Sequence, residues 1–169
     1  MREGSTAFRR AAADLPQLRL LLLGGVDPLH PTGLSPEEER ELASDPRILR
    51  VSHSRDVPRF LAASDFMVFP SEREGCSTCI MEALASGLPV ITTDARGCGD
   101  LVDDGRTGLV VPQDDADGLV AAIRRLATTR AMLDELGRAA ALERPRVDRA
   151  IYVADMLRLY EVTSATPGR

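Results

Sequence analysis

Between Phe66 and Thr92 the chain passes from an apolar strand-like run, through a helix, into a second apolar strand-like run, and this order constrains the fold most. Phe66-Met67-Val68-Phe69 reads as a buried strand ended by Pro70. A helix begins near Ser77 and stops at Gly87, a normal C-terminal glycine. Pro89 to Thr92 is the next strand. The same alternation predicts helix 5–14, strand 19–23 ending at Gly24-Gly25, a helix from Ser35 to about Ala43, strand 48–52 and a short helix 57–63. It continues with strand 108–111 and helices 116–127, 131–141 and roughly 147–161. Ser35-Pro36-Glu37-Glu38 is a capping box with proline at the first helical position and acids in the first turn. Strands and helices alternating through short connections specify an α/β fold with a parallel sheet flanked by helices. No internal repeat or low-complexity linker divides the chain, so one domain over 1–162 is expected, with 163–169 a disordered, frayed tail.

At 169 residues and 44% hydrophobic content, the chain can bury a core of about one domain. The net charge of -5, with acids spread along the chain, argues against nucleic acid as a partner. All 21 basic residues are arginine, and asparagine is absent too, which reads as a GC-rich and bacterial source. No secretory pattern follows Met1-Arg2-Glu3-Gly4, and the apolar run Leu18 to Gly25 is too short to cross a bilayer, so a cytoplasmic protein is expected. Three cysteines provide no disulfide framework.

The chemistry concentrates in Glu74-Gly75-Cys76-Ser77-Thr78-Cys79-Ile80-Met81-Glu82. A helix starting at Ser77 presents unpaired backbone N–H groups and a positive dipole end, which hold anions without a charged side chain. Gly75 allows close approach of a ligand. Glu82 lies about five residues into the helix, ~7–8 Å along the axis at ~1.5 Å per residue. Side chains tilt toward the helix start, so its carboxylate reaches back to whatever is joined to a bound phosphate. Carboxylates repel phosphate but suit hydroxyls, so a nucleotide-sugar is the first ligand to consider. The plainer reading makes Glu82 a solvated helix residue and Glu74 a loop acid, and spacing alone does not choose between them. Cys76 and Cys79 form a Cys-x-x-Cys at a helix start, where thiol pKa values tend to fall. With Cys98 and His30 or His53 they would complete a zinc set, but no second Cys-x-x-Cys or paired histidine supports one, and no metal is expected. Gly97-Cys98-Gly99 is too short for a dinucleotide fingerprint.

Phe69-Pro70-Ser71, Glu74-Gly75 and Glu82-Ala83-Leu84-Ala85-Ser86-Gly87-Leu88-Pro89-Val90-Ile91-Thr92-Thr93-Asp94 together resemble a known pattern. Arg96-Gly97-Cys98, the hairpin-like Asp104-Gly105-Arg106-Thr107-Gly108-Leu109-Val110-Val111-Pro112, and Asp115 extend it. From about Arg2 to Tyr160 the chain resembles the C-terminal, donor-binding half of family 4 glycosyltransferases of GT-B architecture. The resemblance implies a Rossmann-like parallel sheet with strand order 3-2-1-4-5-6. It implies that Glu74 contacts the transferred sugar as the catalytic residue, that Glu82 holds the ribose, and that the backbone of Gly75, Cys76, Ser77 and Thr78 faces the diphosphate. The loop after strand 48–52, including His53, would lie near the base; for the His53 side chain an ordinary loop role is the better reading.

The sequence departs from the family's pattern at four places. Cys76 and Ser77 replace an aromatic and a small residue, and Asp100 stands where glutamate is commoner. Glu3, in Arg2-Glu3-Gly4, takes the place of a lysine that grips the diphosphate and reverses its charge. The N-terminal acceptor domain and the first strand of this half have no counterpart. That strand would be central, so its two neighbours are left with unpaired backbone or must pair with each other.

The resemblance implies a retaining, metal-independent transfer of a hexose from a nucleoside-diphosphate sugar to a saccharide acceptor, with no cofactor beyond the donor. Its flavour is that of capsular or exopolysaccharide assembly, whose lipid-linked acceptors suggest peripheral association with the inner face of the membrane. The alternative is an incomplete nucleotide-sugar binding module, or half of a split enzyme, that needs a partner acceptor domain. A regulatory Rossmann-like domain for NAD or ATP is weaker.

Overall fold

The computed structural model describes residues 2–24, 35–72, 74–144, 150, 151, 153, 154 and 156–158. Helix α1 (Arg2–Ala12) leads to β1 (Leu20–Leu23), α2 (Pro36–Ser44), β2 (Ile48–Val51), α3 (Val57–Ala62) and β3 (Met67–Phe69). Then come α4 (Thr78–Ala85), β4 (Val90–Thr93), a 3-10 turn (Gly99–Leu101), β5 (Gly108–Val111), α5 (Ala116–Thr128) and α6 (Arg130–Leu142). The helix expected over 147–161 falls only partly within the described residues, and the tail 163–169 lies outside them.

Helix α1 starts at Arg2 rather than Ser5. Glu3 in its first turn complements the helix dipole, and Ala7, Phe8, Ala11 and Ala12 form its buried stripe. Pro16 disfavours helical geometry at the residue before it, so the helix stops short of Asp14. The capping box at α2 is complete. Glu38 N–H donates to Ser35 Oγ at 3.2 Å, and Ser35 N–H donates to Glu38 Oε2 at 2.7 Å.

Every strand pairing is parallel, but the strands form two sheets, β1-β2 and β3-β4-β5. Among the described residues β1 and β3 do not pair with each other, and each has a strand partner on one edge only. Strand β4 is buried along its whole length, as a strand between two partners and two helical layers must be. Its alternate side chains feed two cores. Ile91 joins Leu109, Val111 and the apolar faces of α1 and α5 on one side. Val90 joins Ile80, Ala83 and Leu84 of α4 on the other, with Ala140 of α6. Burying Ile80 and Leu84 fully contributes roughly 1.5–3 kcal/mol each.

Two glycines fix the ends of these elements. Gly87, at φ 73°, closes α4 in a Schellman motif: Leu88 N–H reaches Ala83 O and Gly87 N–H reaches Leu84 O, both at 2.9 Å. Gly108 enters β5 so close to β4 that a Cβ would lie 1.9 Å from the Val90 carbonyl oxygen. The segment before it is a turn and no hairpin. Thr107 N–H closes on Asp103 O at 2.9 Å, and the strand that follows runs parallel to β4.

Helix α1 straps the two sheets together. Arg9 pairs with Glu41 of α2 at 2.5 Å, and Arg47, just before β2, donates to the Ala12 carbonyl at 2.9 Å. On the other side Arg10 meets Asp117 and Arg124 meets Asp14, tying α1 to α5.

Candidate functional site

The loop between β3 and α4 is held in place by neighbours from β4 and beyond. Thr93 Oγ donates to the Ser71 carbonyl and accepts from Ser71 N–H at 3.3 Å. The Gln113 side-chain amide donates to the Glu72 carbonyl, while Gln113 N–H donates to Asp94 Oδ1 at 2.9 Å. Thr92 Oγ fastens the end of β3 by donating to Phe69 O at 2.8 Å. Both threonines are buried, so these bonds are shielded from water and constrain the loop strongly.

A second clamp comes from the turn after β4. Glu74 N–H donates to Arg96 O and Ser77 N–H to Gly97 O, each at 3.2 Å. Gly97 has φ 79°, and a Cβ there would meet Glu74 O at 2.6 Å and Gly75 O at 2.7 Å. Gly97 N–H donates to Asp100 Oδ2 at 3.1 Å, so the aspartate in place of the commoner glutamate braces this turn.

Ser77 is the N-cap of α4; its hydroxyl accepts from Ile80 N–H at 3.4 Å. Its own N–H is spent on Gly97, which corrects the expectation that all four residues from Gly75 to Thr78 offer backbone donors to a diphosphate. The donors left by this arrangement are those of Gly75, Cys76 and Thr78, on exposed residues at the positive end of α4.

The two glutamates converge. Glu74 is half-buried and accepts from Ser71 Oγ at 3.3 Å on Oε1; Glu82 is exposed on α4. Both act on the thiol of Cys79. Burial raises its pKa most, and the Glu82 and then Glu74 carboxylates raise it further. The lowered thiol pKa expected of a helix start is therefore reversed at Cys79, by burial first and by the two acids in addition. Glu74, Cys79 and Glu82 line one cavity, together with Glu3 of α1.

His53 is exposed between β2 and α3 and is not among the described residues lining that cavity. Cys98 is fully buried, its thiol pKa raised by burial and held back by hydrogen bonding with Thr92 and Ser71. It belongs to the core beneath the loop. Cys76 and Cys79 are exposed, and among the described residues no cluster of three metal-ligating side chains forms; His30 lies outside them. The clamping residues Thr93, Gln113 and Gly97 were not singled out from sequence for these roles. The signal for Gly97 was a glycine in the turn directly after a strand; for the others there was none.

Parallel strands with helices on both faces, and a loop and helix N-terminus at their carboxyl ends, define a Rossmann-like α/β fold. The sequence profile described as glycosyl transferases group 1 matches residues 4–129, and the chain belongs to that family. It is 31% identical to the lipopolysaccharide core biosynthesis glycosyltransferase LpsE of Rhizobium meliloti over 80% of this chain and 39% of the relative. It is 28% identical to the capsular polysaccharide biosynthesis glycosyltransferase CapM of Staphylococcus aureus over 71% of this chain and 31% of CapM. Its fold matches Anabaena HepE in complex with UDP-glucose at TM-score 0.76 and 21% identity, over 97% of this chain and 46% of HepE. Sucrose-phosphate synthase from Thermosynechococcus elongatus matches at TM-score 0.77 and 28% identity, over 98% of this chain and 43% of that one. The chain spans between about a third and a half of the length of each of these proteins. Among the described residues no helix is long and apolar enough to cross a membrane.

Proposed function

We propose that this chain is the donor-binding half of a glycosyltransferase that moves a hexose from a nucleoside-diphosphate sugar to a saccharide acceptor with retention of configuration. The convergence of Glu74 and Glu82 on Cys79, beside the start of α4, carries this reading. Glu74, braced by Ser71 and by its N–H to Arg96, orients the sugar and serves as the catalytic carboxylate. Glu82 accepts hydrogen bonds from the ribose hydroxyls. The N–H groups of Gly75, Cys76 and Thr78, with the helix dipole, stabilise the departing diphosphate, so no metal is required. The loop carrying His53 lies toward the base. The likeness to capsular and lipopolysaccharide enzymes supports a lipid-linked acceptor met at the cytoplasmic face of the membrane.

Isothermal titration with UDP-, GDP- and ADP-sugars tests the donor site. One of these donors binds the wild-type chain, and Glu82→Ala weakens it about tenfold, the ~1.4 kcal/mol of lost hydroxyl bonding to a charged acceptor. Equal affinity in the variant removes Glu82 from the site.

A second reading, an incomplete donor module that works with an acceptor domain from a partner, is favoured by the one-sided pairing of β1 and β3 among the described residues. Under it the chain binds donor but transfers sugar only when a separately expressed acceptor domain is added. Transfer by the chain alone refutes it.

A further inference from the structure

The Cys-x-x-Cys at the start of α4 carries chemistry that the donor reading leaves unused. Cys76 and Cys79 are exposed free thiols, whereas Cys98 is buried and out of reach of solvent. Cys76 lies one residue ahead of the Ser77 N-cap, and Cys79 lies in the first turn of α4. Closing a disulfide needs Cβ atoms about 3.5–4.5 Å apart. Residues three apart on a helix hold theirs about 5–6 Å apart. Ser77, extended at φ -79° and ψ 105°, keeps Cys76 off the helix altogether. The two thiols are close along the chain but unbridged in this conformation.

One backbone joint has to turn to bring them together. Rotating Ser77 ψ toward the helical range winds Cys76 onto α4 and swings Gly75 with it. A Cβ built at Gly75 meets nothing within 4 Å, so the loop has room on that side. The same rotation draws Ser77 N–H away from Gly97 O, to which it donates at 3.2 Å. Disulfide and clamp are therefore alternatives. We propose that Cys76 and Cys79 form a dithiol redox site, oxidised by a small-molecule disulfide, whose closure opens the Ser77–Gly97 clamp and displaces the backbone of Gly75 and Cys76. The consequence for donor binding rests on the donor reading above; the disulfide and the clamp do not.

Desolvation first, then the Glu82 and Glu74 carboxylates, hold the Cys79 thiol protonated, which leaves the first attack to Cys76. The Cys76 thiolate attacks one sulfur of the small disulfide, making a mixed disulfide and expelling a thiolate. Cys79 gives its proton to solvent and attacks Cys76 Sγ, which forms the Cys76–Cys79 bond and expels the second thiolate. The protein gives up two electrons and two protons. The small disulfide accepts the electrons and leaves as two thiols.

The probe is oxidised glutathione, applied to the full chain at about pH 8, where thiolate is available. Thiols counted in denaturant fall from the three of the reduced chain to the single Cys98, on a monomer, and dithiothreitol restores them. Amide hydrogen exchange at Ser77 accelerates at least about tenfold on oxidation, while that of Ile91 in buried β4 is unchanged. Affinity for whichever UDP-, GDP- or ADP-sugar the reduced chain binds falls about tenfold. In Cys79→Ser the adduct has no resolving thiol, and glutathione stays on Cys76. Glutathione persisting on Cys76 of the wild-type chain, or a disulfide-linked dimer, overturns the pairing. Disulfide formation with unchanged Ser77 exchange overturns the link to the clamp. If the reduced chain binds no donor, the donor reading falls, while the thiol count and Ser77 exchange still decide the redox site.

Discussion

Gly97→Ala tests whether the donor loop is positioned by backbone contact with the turn after β4. Two costs act together. At φ 79° an alanine is in the left-handed region, which costs roughly 1–2 kcal/mol. Its Cβ would also lie 2.6 Å from Glu74 O, 2.7 Å from Gly75 O and 2.9 Å from the Gly75 carbonyl carbon, all of them backbone atoms. Overpacking of that kind costs about 1–3 kcal/mol, or is relieved by moving the loop and losing the Glu74–Arg96 and Ser77–Gly97 bonds at about 1 kcal/mol each. Gly105→Ala is the matched control, with φ 72° and nothing within 4 Å of its Cβ. The control therefore carries only the backbone cost. With a urea m-value of roughly 2 kcal/mol/M, Gly97→Ala unfolds at a midpoint about 0.5–1.5 M below that of Gly105→Ala, followed by circular dichroism. Donor affinity by calorimetry falls in Gly97→Ala and holds in Gly105→Ala. Equal midpoints and equal affinities in the two variants would refute the contact argument.

Three further outcomes follow from the same geometry. In a Cys76→Ser background, replacing Glu74 and Glu82 by glutamine removes two of the causes holding the Cys79 thiol up, so its alkylation by iodoacetamide at pH 8 accelerates several-fold; an unchanged rate separates the carboxylates from the thiol. Asp45, hydrogen-bonded by the Arg47 side chain and backbone, has its pKa lowered from 3.8 to about 2, so its contribution is complete above pH 4 and is lost as pH falls through about 2. Asp45→Asn removes that part of the acid transition, and the difference between the unfolding curves of the two proteins shrinks between pH 4 and 2. Glu3 lines the cavity proposed to take the donor, with the wrong sign for a diphosphate, so under that proposal Glu3→Lys tightens UDP binding about 3- to 30-fold at low salt, an advantage that fades above roughly 0.3 M NaCl; a salt-independent change would point away from charge.

The elements legible in the sequence were those announced by local chemistry. Ser35 with Glu38, Gly87 before Pro89, and the apolar runs at Leu20 and Met67 each marked an element to within a few residues, because caps and hydrophobic period act over a single turn or strand. The parallel sheet followed from helices interposed between strands. The pair Glu74 and Glu82 stood out through the family likeness, and both line one cavity. Contacts across the fold were not legible. Nothing near Ser77 in sequence indicates that its N–H is taken by Gly97, twenty residues on. The turn before Gly108 misled for a related reason: Asp-Gly-x-Thr-Gly specifies a reversal, whereas the direction of the next strand depends on Val90, against whose carbonyl only a glycine fits.

The strap made by α1 also bears on how the molecule comes apart. Among the described strands no ladder crosses from β1 to β3, so cooperativity between the two sheets depends on side-chain packing and on the pairs Arg9–Glu41 and Arg47–Ala12. The exposed Arg9–Glu41 ion pair contributes about 0–1 kcal/mol and the charged hydrogen bond from Arg47 to the Ala12 carbonyl about 1.5–3 kcal/mol. The β1-α2-β2 unit is therefore a natural foldon, opening before the β3-β4-β5 core and taking the His53 loop with it. The carboxylates and the helix start belong to the more stable unit, so the part of the cleft assigned to sugar and phosphate outlasts the part assigned to the base.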